Sequence, residues 1–268
     1  MSGDRSTPEE ILKRIQAEEK QKQNENRGKL YIFLGYAAGV GKTCAMLDTA
    51  HELKKKLIDV VAGYIEPHAR WETSMREKGL EKLPPLMVPY KGIELREFNL
   101  DAALKRKPQV LLVDELAHTN ANGLRHKKRY EDIEELLDAG IDVYTTVNIQ
   151  HLESLNDIVE SITKIHVKER IPDAVFDEAE QVKLVDIEPD LLITRLKEGK
   201  IYKTVQAERA LQNFFAKEKL IALREIALRR MADKVNQVAQ QERLLSEKQE
   251  EGEGYQGEHI LTCISTAP

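Results

Sequence analysis

The sequence of 268 residues has few of the features that mark a secreted or metal-stabilised protein. Its two cysteines, Cys44 and Cys263, lie far apart, and neither belongs to a CxxC or Cys/His pattern that would indicate a zinc site. Such sparse cysteine usage fits a reducing compartment, so we expect a cytoplasmic location. Aromatic residues make up only 5% of the chain, which predicts an aliphatic core of the kind that parallel α/β sheets bury.

Long apolar runs and an excess of positive charge are also lacking. No run approaches the roughly 18 apolar residues that a membrane span requires, and the polar start of the chain has no apolar segment typical of a signal peptide. The formal net charge is −5, so no global positive field favours nucleic acid. We therefore expect no membrane span in this chain and no nucleic-acid partner.

Short apolar runs alternate with helical patterns through the middle of the chain. The runs typical of buried strands, with the weaker ones last, lie at 29–34, 58–65, 109–113, 141–147, 86–90, 165–167 and 182–185. Apolar residues at helical spacing lie between them at 42–56, 101–106, 130–137 and 152–162. This alternation predicts an α/β fold with a mostly parallel sheet flanked by helices, followed from residue 205 by a C-terminal helical segment.

Changes in composition suggest four parts of the chain. Residues 1–28 form a polar N-terminal arm, and 29–240 form the α/β domain. Residues 241–258 are rich in Glu, Gln and Gly, which is typical of a linker. The apolar stretch within 259–268 resembles the opening strand of a further domain.

A glycine-rich loop, GYAAGVGKT at 35–43, joins the first predicted strand to the first predicted helix. Backbone N–H groups of such a loop can point together at phosphate, and the helix that follows adds its positive dipole. We expect Lys42 to reach the β- and γ-phosphates of ATP and the Thr43 hydroxyl to bind Mg²⁺. The predicted phosphate-binding residues are Ala38, Gly39, Val40, Gly41, Lys42, Thr43 and Cys44.

This loop departs from the common pattern G-x-x-x-x-G-K-[ST] at one position. The pattern asks for glycine where Tyr36 stands, and Gly35 lies one residue too early. Ala37 also replaces the lysine of the deviant K-G-G-x-G-K-T form. The alternative is an incidental glycine-rich turn, but the flanking strand and helix favour a P-loop NTPase-like fold.

Two adjacent carboxylates follow the apolar run VLLV at 110–113. Asp114 is the predicted second metal ligand, because carboxylate oxygens suit Mg²⁺ and nucleotide-binding proteins place an aspartate at such a strand end. The alternative is an ordinary turn residue. Glu115 stands where many ATPases hold the general base for an attacking water, and we predict it as the catalytic residue. Its alternative is a carboxylate without a catalytic role, either salt-bridged or supporting the residues that hold the ligand.

Other polar side chains follow the predicted strands at the edge where ligands bind in open parallel sheets. They are Glu66, His68, His118, Asn120, Asn148, Gln150 and His151. Each is either a sensor of the γ-phosphate or an ordinary loop residue. Three arginines are either phosphate ligands in trans, for a neighbouring molecule, or solvent-exposed side chains, namely Arg70, Arg125 and Arg129. We interpret Trp71 as a packing or interface residue.

Several stretches together resemble the N-terminal cytoplasmic domain of the KdpD family, the osmosensitive potassium-channel sensor histidine kinases. They include GYAAGVGKTCAM at 35–46, GYIEPH at 63–68, VDELAHTN at 113–120 and DIEELLDAGIDVYTTVN at 132–148. The resemblance covers roughly residues 28–235. Where that family typically has proline in the glycine-rich loop, this chain has Ala38.

The resemblance implies an ATP-binding regulatory input domain of a two-component sensor kinase that controls potassium uptake. It also implies that 259–268 open a universal-stress-protein-like domain, and that membrane helices, kinase domains and a response regulator complete the system at the cytoplasmic face of the membrane. The sequence contains no phosphoacceptor histidine box and no second ATP-binding kinase motif, so we expect at most a slow ATPase. The alternatives are a self-standing P-loop ATPase switch that acts on a protein partner, and an interaction scaffold with a structural nucleotide. The oligomeric state stays open, with a homodimer as one option.

Overall fold

The computed structural model of the protein describes residues 26–66, 71–199 and 214–250. In the last range it describes side chains to residue 240 and at residue 243. The chain divides into two compact units between Leu228 and Arg229, and the first unit holds the sheet and the glycine-rich loop. The predicted arm lies mostly, and the predicted further domain entirely, outside the described residues, and the four-part division stays a prediction.

A six-stranded parallel sheet forms the centre of the first unit, as the alternation of runs and helical patterns predicted. Its strands are β1 (Leu30–Gly35), β2 (Val60–Tyr64), β3 (Glu81–Lys82), β6 (Val110–Val113), β7 (Asp142–Asn148) and β8 (Gln181–Leu184). They lie in the order β3-β2-β6-β7-β1-β8. A separate antiparallel hairpin consists of β4 (Leu86–Tyr90) and β5 (Ile93–Glu97).

Helices lie between the strands and follow the last of them. They are α1 (Lys42–Lys55), α2 (Trp71–Arg76), α3 (Leu100–Arg106), α4 (Arg129–Asp138), α5 (Asn156–Thr163), α6 (Asp173–Asp177), α7 (Pro189–Lys197) and α8 (Lys217–Glu250). Local chemistry fixes several of their starts. The Asn99 side chain accepts a hydrogen bond from the N–H of Ala102 at 3.1 Å and so caps α3. Pro189 occupies the start of α7, where its fixed backbone angle suits a helix.

The core is mainly aliphatic, as the composition predicted. All four residues of β6 and all five of β2 are buried, which suits central strands of a parallel sheet. Helix α1 buries Met46, Leu47 and Ala50 in the cluster that also contains Phe33 and Leu112. Helix α8 contributes Leu220, Leu223 and Ala227 to the buried set.

The register of the sheet decides which loops meet at its carboxyl edge. Gly35 at the end of β1 lies opposite Asn148 at the end of β7, and Val113 at the end of β6 lies opposite Thr145. The glycine-rich loop after β1 and the carboxylates after β6 therefore converge on the end of the strand between them.

Two local predictions differ from the structure. Residues 165–167 form no strand, so that prediction was wrong. The helix predicted at 152–162 is confirmed from Asn156 onward as α5, but its expected first turn is the 3-10 turn Glu153–Leu155, which follows a second 3-10 turn at Ile149–His151. The hydrogen bond from the N–H of Glu153 to the carbonyl of Ile171 at 3.1 Å holds this segment through a distant partner. Helical spacing alone could not anticipate that contact. The helix predicted from residue 205 lies partly outside the described residues, and α8 continues through 241–250, part of the predicted linker.

Candidate functional site

A cavity of about 710 Å³ opens at the carboxyl edge of the sheet. Its wall contains the predicted phosphate-binding residues 38–44, both carboxylates of the 114–115 pair, and Asn148. Side chains from α1, α2, β7 and α7 complete the wall. The fold thus gathers into one place groups that are up to about 160 residues apart in sequence.

Two glycines shape the loop that lines this cavity. Gly39 has φ of 88° and Gly41 has φ of 107°, which is a left-handed conformation that residues with a side chain rarely adopt. Gly41 is also the N-cap of α1, and its carbonyl accepts the N–H of Ala45 at 2.9 Å. The first N–H groups of α1 have no partner within the helix and therefore favour an anion.

Tyr36, the residue that breaks the common pattern, is fully buried. Its hydroxyl donates a hydrogen bond to the carbonyl of Ile187 at 2.9 Å. Burial raises the pKa of this hydroxyl well above its usual range, so it stays a neutral donor. The side chain joins the glycine-rich loop to the segment between β8 and α7 and leaves the cavity open.

Lys42 extends from the start of α1 toward β7. Its ammonium group donates to the carbonyl of Ala37 at 3.3 Å and makes a close hydrogen bond to the Asn148 side-chain oxygen. The lysine charge is therefore held at the floor of the cavity between the loop and β7. Asn148, proposed from its position after a strand, is in direct contact with the predicted phosphate-binding lysine.

Thr43 and Asp114 face each other across the cavity floor. The Thr43 hydroxyl lies 3.1 Å from one Asp114 carboxylate oxygen and 3.4 Å from the other. Asp114 is 1% exposed and also accepts the Thr146 hydroxyl and the N–H groups of Glu115 at 3.2 Å and Glu66 at 3.4 Å. These donors fix the orientation of the carboxylate.

The two facing oxygens suit a hard cation. Mg²⁺ takes oxygen ligands, and in nucleotide sites it uses one or two protein groups together with phosphates and water. Within the described residues there is no cluster of three or more His, Cys, Asp or Glu side chains that could hold a metal ion. The donor set at Thr43 and Asp114 therefore fits a metal that arrives with its own oxygen ligands.

Glu115 has an unusual backbone conformation and a side chain with a raised pKa. Its φ of 61° is left-handed, although it is not glycine, and its N–H is held by Asp114 and by the Thr146 hydroxyl at 3.2 Å. Burial raises the pKa of the Glu115 carboxyl to about 7, with further contributions from the charges of Glu66 and Asp114. The carboxylate forms no ion pair with any residue in the described ranges, so within them it is not salt-bridged, and a catalytic or a supporting role remains for it.

Arg129 is neither exposed nor in contact with the cavity, so both interpretations of it were wrong. It is completely buried, its guanidinium lies 4.3 Å from the centre of the Tyr64 ring, and it donates to the Asp114 carbonyl at 3.1 Å. It also pairs with Glu97 at 3.3 Å. Arg129 thus supports the backbone that carries the two site carboxylates. Arg125 pairs instead with Asp101 and Glu135, and Arg70 lies outside the described residues.

His118 and Asn120 have different surroundings. His118 lines the cavity, and its Nε2 atom lies 3.1 Å from the Glu97 carboxylate. Burial acts to raise the pKa of the Glu97 carboxyl, but hydrogen bonding with His118 helps to lower it below its usual value. Asn120 donates to Asp132 at 2.7 Å and to the carbonyl of His126 at 3.2 Å. Asn120 is therefore a loop residue, as its alternative interpretation held.

The remaining predicted polar residues divide in a similar way. Gln150 and His151 line the cavity, and the Nδ1–H of His151 donates to the Glu169 carbonyl at 2.8 Å. Burial lowers the pKa of His151, which keeps the ring neutral. Glu66 accepts the Tyr64 hydroxyl at 2.8 Å beside Asp114. His68 lies outside the described residues.

Several cavity residues were not singled out from the sequence. Thr146 holds Asp114, Thr73 and Arg76 come from α2, and Arg195 comes from α7. A hydroxyl next to the end of a predicted strand was the available signal for Thr146, but nothing in the sequence marks Arg195. Trp71 also lines the cavity and is 75% exposed, so it does not pack in the core.

The family described as "KdpD: Osmosensitive K+ channel His kinase sensor domain" matches residues 26–235. The chain belongs to this family. This assignment confirms the resemblance found in the sequence and makes the chain a KdpD-type sensor domain. The glycine-rich loop and the two carboxylates described above all lie within the matched range.

Curated relatives support the same assignment. The chain is 57% identical to "Sensor protein KdpD" of Clostridium acetobutylicum over 265 residues, which cover 99% of this chain and 29% of that protein. It is 57% identical to "Sensor protein KdpD" of Escherichia coli over 212 residues, covering 79% of this chain and 24% of that protein. It is 48% identical to the "Putative sensor protein KdpD" of Synechocystis over 242 residues, which cover 90% of this chain and 64% of that protein. The chain thus spans less than two thirds of each. No helix in the described ranges is long and apolar enough to cross a membrane.

Proposed function

We propose that this KdpD-type sensor domain binds ATP with Mg²⁺ and reports nucleotide occupancy to the rest of a two-component sensor kinase. In this proposal the kinase acts at the cytoplasmic face of the membrane, and its response regulator controls potassium uptake. The observation that carries the proposal is the Thr43 hydroxyl 3.1 Å from the Asp114 carboxylate, beside the lysine of a glycine-rich loop. A cation between these two oxygens would lie next to phosphates held by the loop.

The charges around the cavity suit a triphosphate. The start of α1 supplies N–H groups and a positive dipole, and Lys42 supplies a full positive charge. Asp114 offers the negative charge that a divalent cation needs, and when bound the cation neutralises charge on the phosphates. The cavity volume of about 710 Å³ is within the range of small-molecule sites.

Lys42 must change partners when a nucleotide binds. Its ammonium group bonds the Asn148 oxygen, and a phosphate that takes over this lysine leaves Asn148 with a new partner. Asn148 ends β7, the strand whose Thr146 also holds Asp114. Binding of a phosphate thus changes the contacts of β7. Such a change can signal that the site is occupied without rapid ATP hydrolysis.

The direct test is binding of ATP by calorimetry, with and without Mg²⁺. We expect Lys42→Ala to abolish measurable binding and to leave the fold intact, because the ammonium group lies on the cavity wall. Lys56→Ala is the matched control, since Lys56 is an exposed lysine directly after the same helix. Unchanged ATP affinity in Lys42→Ala would refute the phosphate-loop assignment.

A slow ATPase switch is the second candidate function, and Glu115 favours it. Its carboxyl has a pKa of about 7, so at neutral pH a substantial fraction is ionised and can accept a proton from a water that attacks the γ-phosphate. Phosphate release measured over hours on the calorimetry sample separates the two functions. Binding with negligible release supports the regulatory module, and clear release that is lost in Glu115→Gln supports the switch.

A further inference from the structure

Arg195 lies over the glycine-rich loop from the side opposite to the carboxylates. A Cβ atom built on Gly41 would lie 4.0 Å from the Arg195 Nη1 atom, and Arg195 lines the same cavity as Lys42. Arg195 is carried by α7, which follows β8, and β8 and β7 flank β1 on opposite sides. The guanidinium therefore reaches the loop from the β8 side, whereas Asn148 contacts Lys42 from the β7 side.

This guanidinium makes no hydrogen bond or ion pair with any residue in the described ranges. Other arginines near the site are paired. Arg76 bonds Asp48 at 3.0 Å, Arg129 pairs with Glu97, and Arg224 makes close ion pairs with Asp186. A half-buried arginine on the wall of a cavity, without a carboxylate partner, has its donors available for an anionic ligand.

The helix that carries Arg195 is fixed relative to the loop. Leu192 and Leu196 of α7 are fully buried. Directly before α7, the Ile187 carbonyl accepts the hydroxyl of Tyr36, which belongs to the loop itself. Arg224 ties the same segment to α8 through Asp186 and Glu188. The guanidinium is thus presented from a rigid support, which reduces the entropy lost when it binds a ligand.

We propose that Arg195 is a phosphate-binding residue of this site and contacts the polyphosphate of the bound nucleotide within the same chain. This inference rests on the proposed nucleotide binding. A triphosphate has more negative charge than Lys42 alone can balance, and a planar guanidinium can donate two parallel hydrogen bonds to phosphate oxygens. The phosphates would then be surrounded by three groups: Lys42 from the floor, the cation site at Thr43 and Asp114, and Arg195 from the β8 side.

The test compares three variants by calorimetry with Mg–ATP and Mg–ADP at one fixed salt concentration. Arg195→Gln keeps much of the side-chain size and removes the charge, and we expect it to weaken ATP binding about 10- to 100-fold, the range for a hydrogen bond to a charged group. Arg195→Lys keeps the charge without the planar donor pair, so we expect an intermediate loss. Lys197→Ala removes an exposed positive charge from the same helix and should change the affinity less than twofold.

The possible results separate this inference from the proposed function. ATP binding by the wild-type protein with unchanged affinity in Arg195→Gln overturns the role of Arg195 and leaves the proposed function standing. Absence of ATP binding by the wild-type protein removes the proposed function and this inference with it. An equal loss in Arg195→Gln and Lys197→Ala would show only a long-range charge effect and would also overturn the inference. Circular dichroism of each variant verifies that it is folded.

Discussion

Replacement of the buried Arg129 by methionine should destabilise the protein and loosen the site without touching the ligand. Arg129 is completely buried and links two structural parts of the domain. Its guanidinium binds the Asp114 carbonyl at 3.1 Å and the Glu97 carboxylate at 3.3 Å, and it covers the Tyr64 ring. Methionine can fill much of the space, but it cannot replace either polar contact.

The expected loss of stability follows from the charged group that stays buried after the substitution. Glu97 is 3% exposed and would lose a cationic partner, although His118 at 3.1 Å stays beside it. Removal of one member of a buried ion pair costs about 3–5 kcal/mol, and the remaining histidine places the expected loss near the lower limit, at about 3 kcal/mol. The Arg129 Nε atom has no partner in the described structure, so its removal offsets a small part of this loss.

The loss of stability in Arg129→Met should be larger at neutral pH than at acidic pH. The folded protein holds the pKa of Glu97 below its ordinary value of 4.5, mainly through His118 and then Arg129, against the opposing effect of burial. A carboxyl with a lowered pKa stabilises the fold above its unfolded pKa, and this contribution disappears as the pH falls through the folded value. The stability difference between wild type and Arg129→Met should therefore be full near pH 7 and should shrink below about pH 4.5.

Urea unfolding followed by circular dichroism measures this difference. A double-mutant cycle with Glu97→Gln isolates the pair, because the double variant no longer buries an unpaired charge. Arg106→Met is the control, since Arg106 makes its ion pairs with Asp59 and Glu81 at the surface and should leave the unfolding midpoint near wild type. A loss below about 1 kcal/mol in Arg129→Met, or no coupling in the cycle, would refute the argument that this buried pair supports the site.

Two further predictions concern the carboxylates. Asp114→Asn should remove most of the increase in ATP affinity that Mg²⁺ gives the wild type, and calorimetry that finds the same Mg²⁺ response in both proteins would exclude Asp114 from the metal site. Glu115→Gln should stabilise the fold by about 1–3 kcal/mol above pH 7 and have little effect below pH 4.5, because a carboxyl with a raised pKa of about 7 destabilises the fold only when ionised. Urea titrations at pH 4, 6 and 8 test this, and equal stability of the two proteins at pH 8 would contradict it.

The central sheet and the cavity floor could be predicted from the sequence because short, local stretches of residues indicate them. Apolar runs predicted the buried strands, and the glycine-rich loop and the aspartate after β6 predicted the two sides of the floor. The carboxyl ends of parallel strands meet at one edge, so the facing of Thr43 and Asp114 could be anticipated without a known distance.

The surrounding support could not be predicted in the same way. Arg129 belongs to a basic stretch that favours a solvated loop, and its burial depends on Glu97, 32 residues earlier in a hairpin with mostly exposed side chains. Arg195 lies on a short helix, and its approach to Gly41 depends on the position of β8 in the sheet. Both arginines acquire their roles from tertiary contacts, which residue spacing does not encode.

Tyr36 explains how the loop can depart from the common pattern and keep its shape. The positions that need glycine for their backbone are Gly39 and Gly41, and Tyr36 is not among the residues with positive φ. Gly35 is required for space, since a Cβ there would lie 2.6 Å from the Val40 side chain and 2.9 Å from that of Lys42. Tyr36 turns into the core and its hydroxyl binds Ile187, so the side chain stays out of the cavity and anchors the segment that leads to α7. In this loop the mismatch with the pattern therefore falls at a position where glycine has no conformational task.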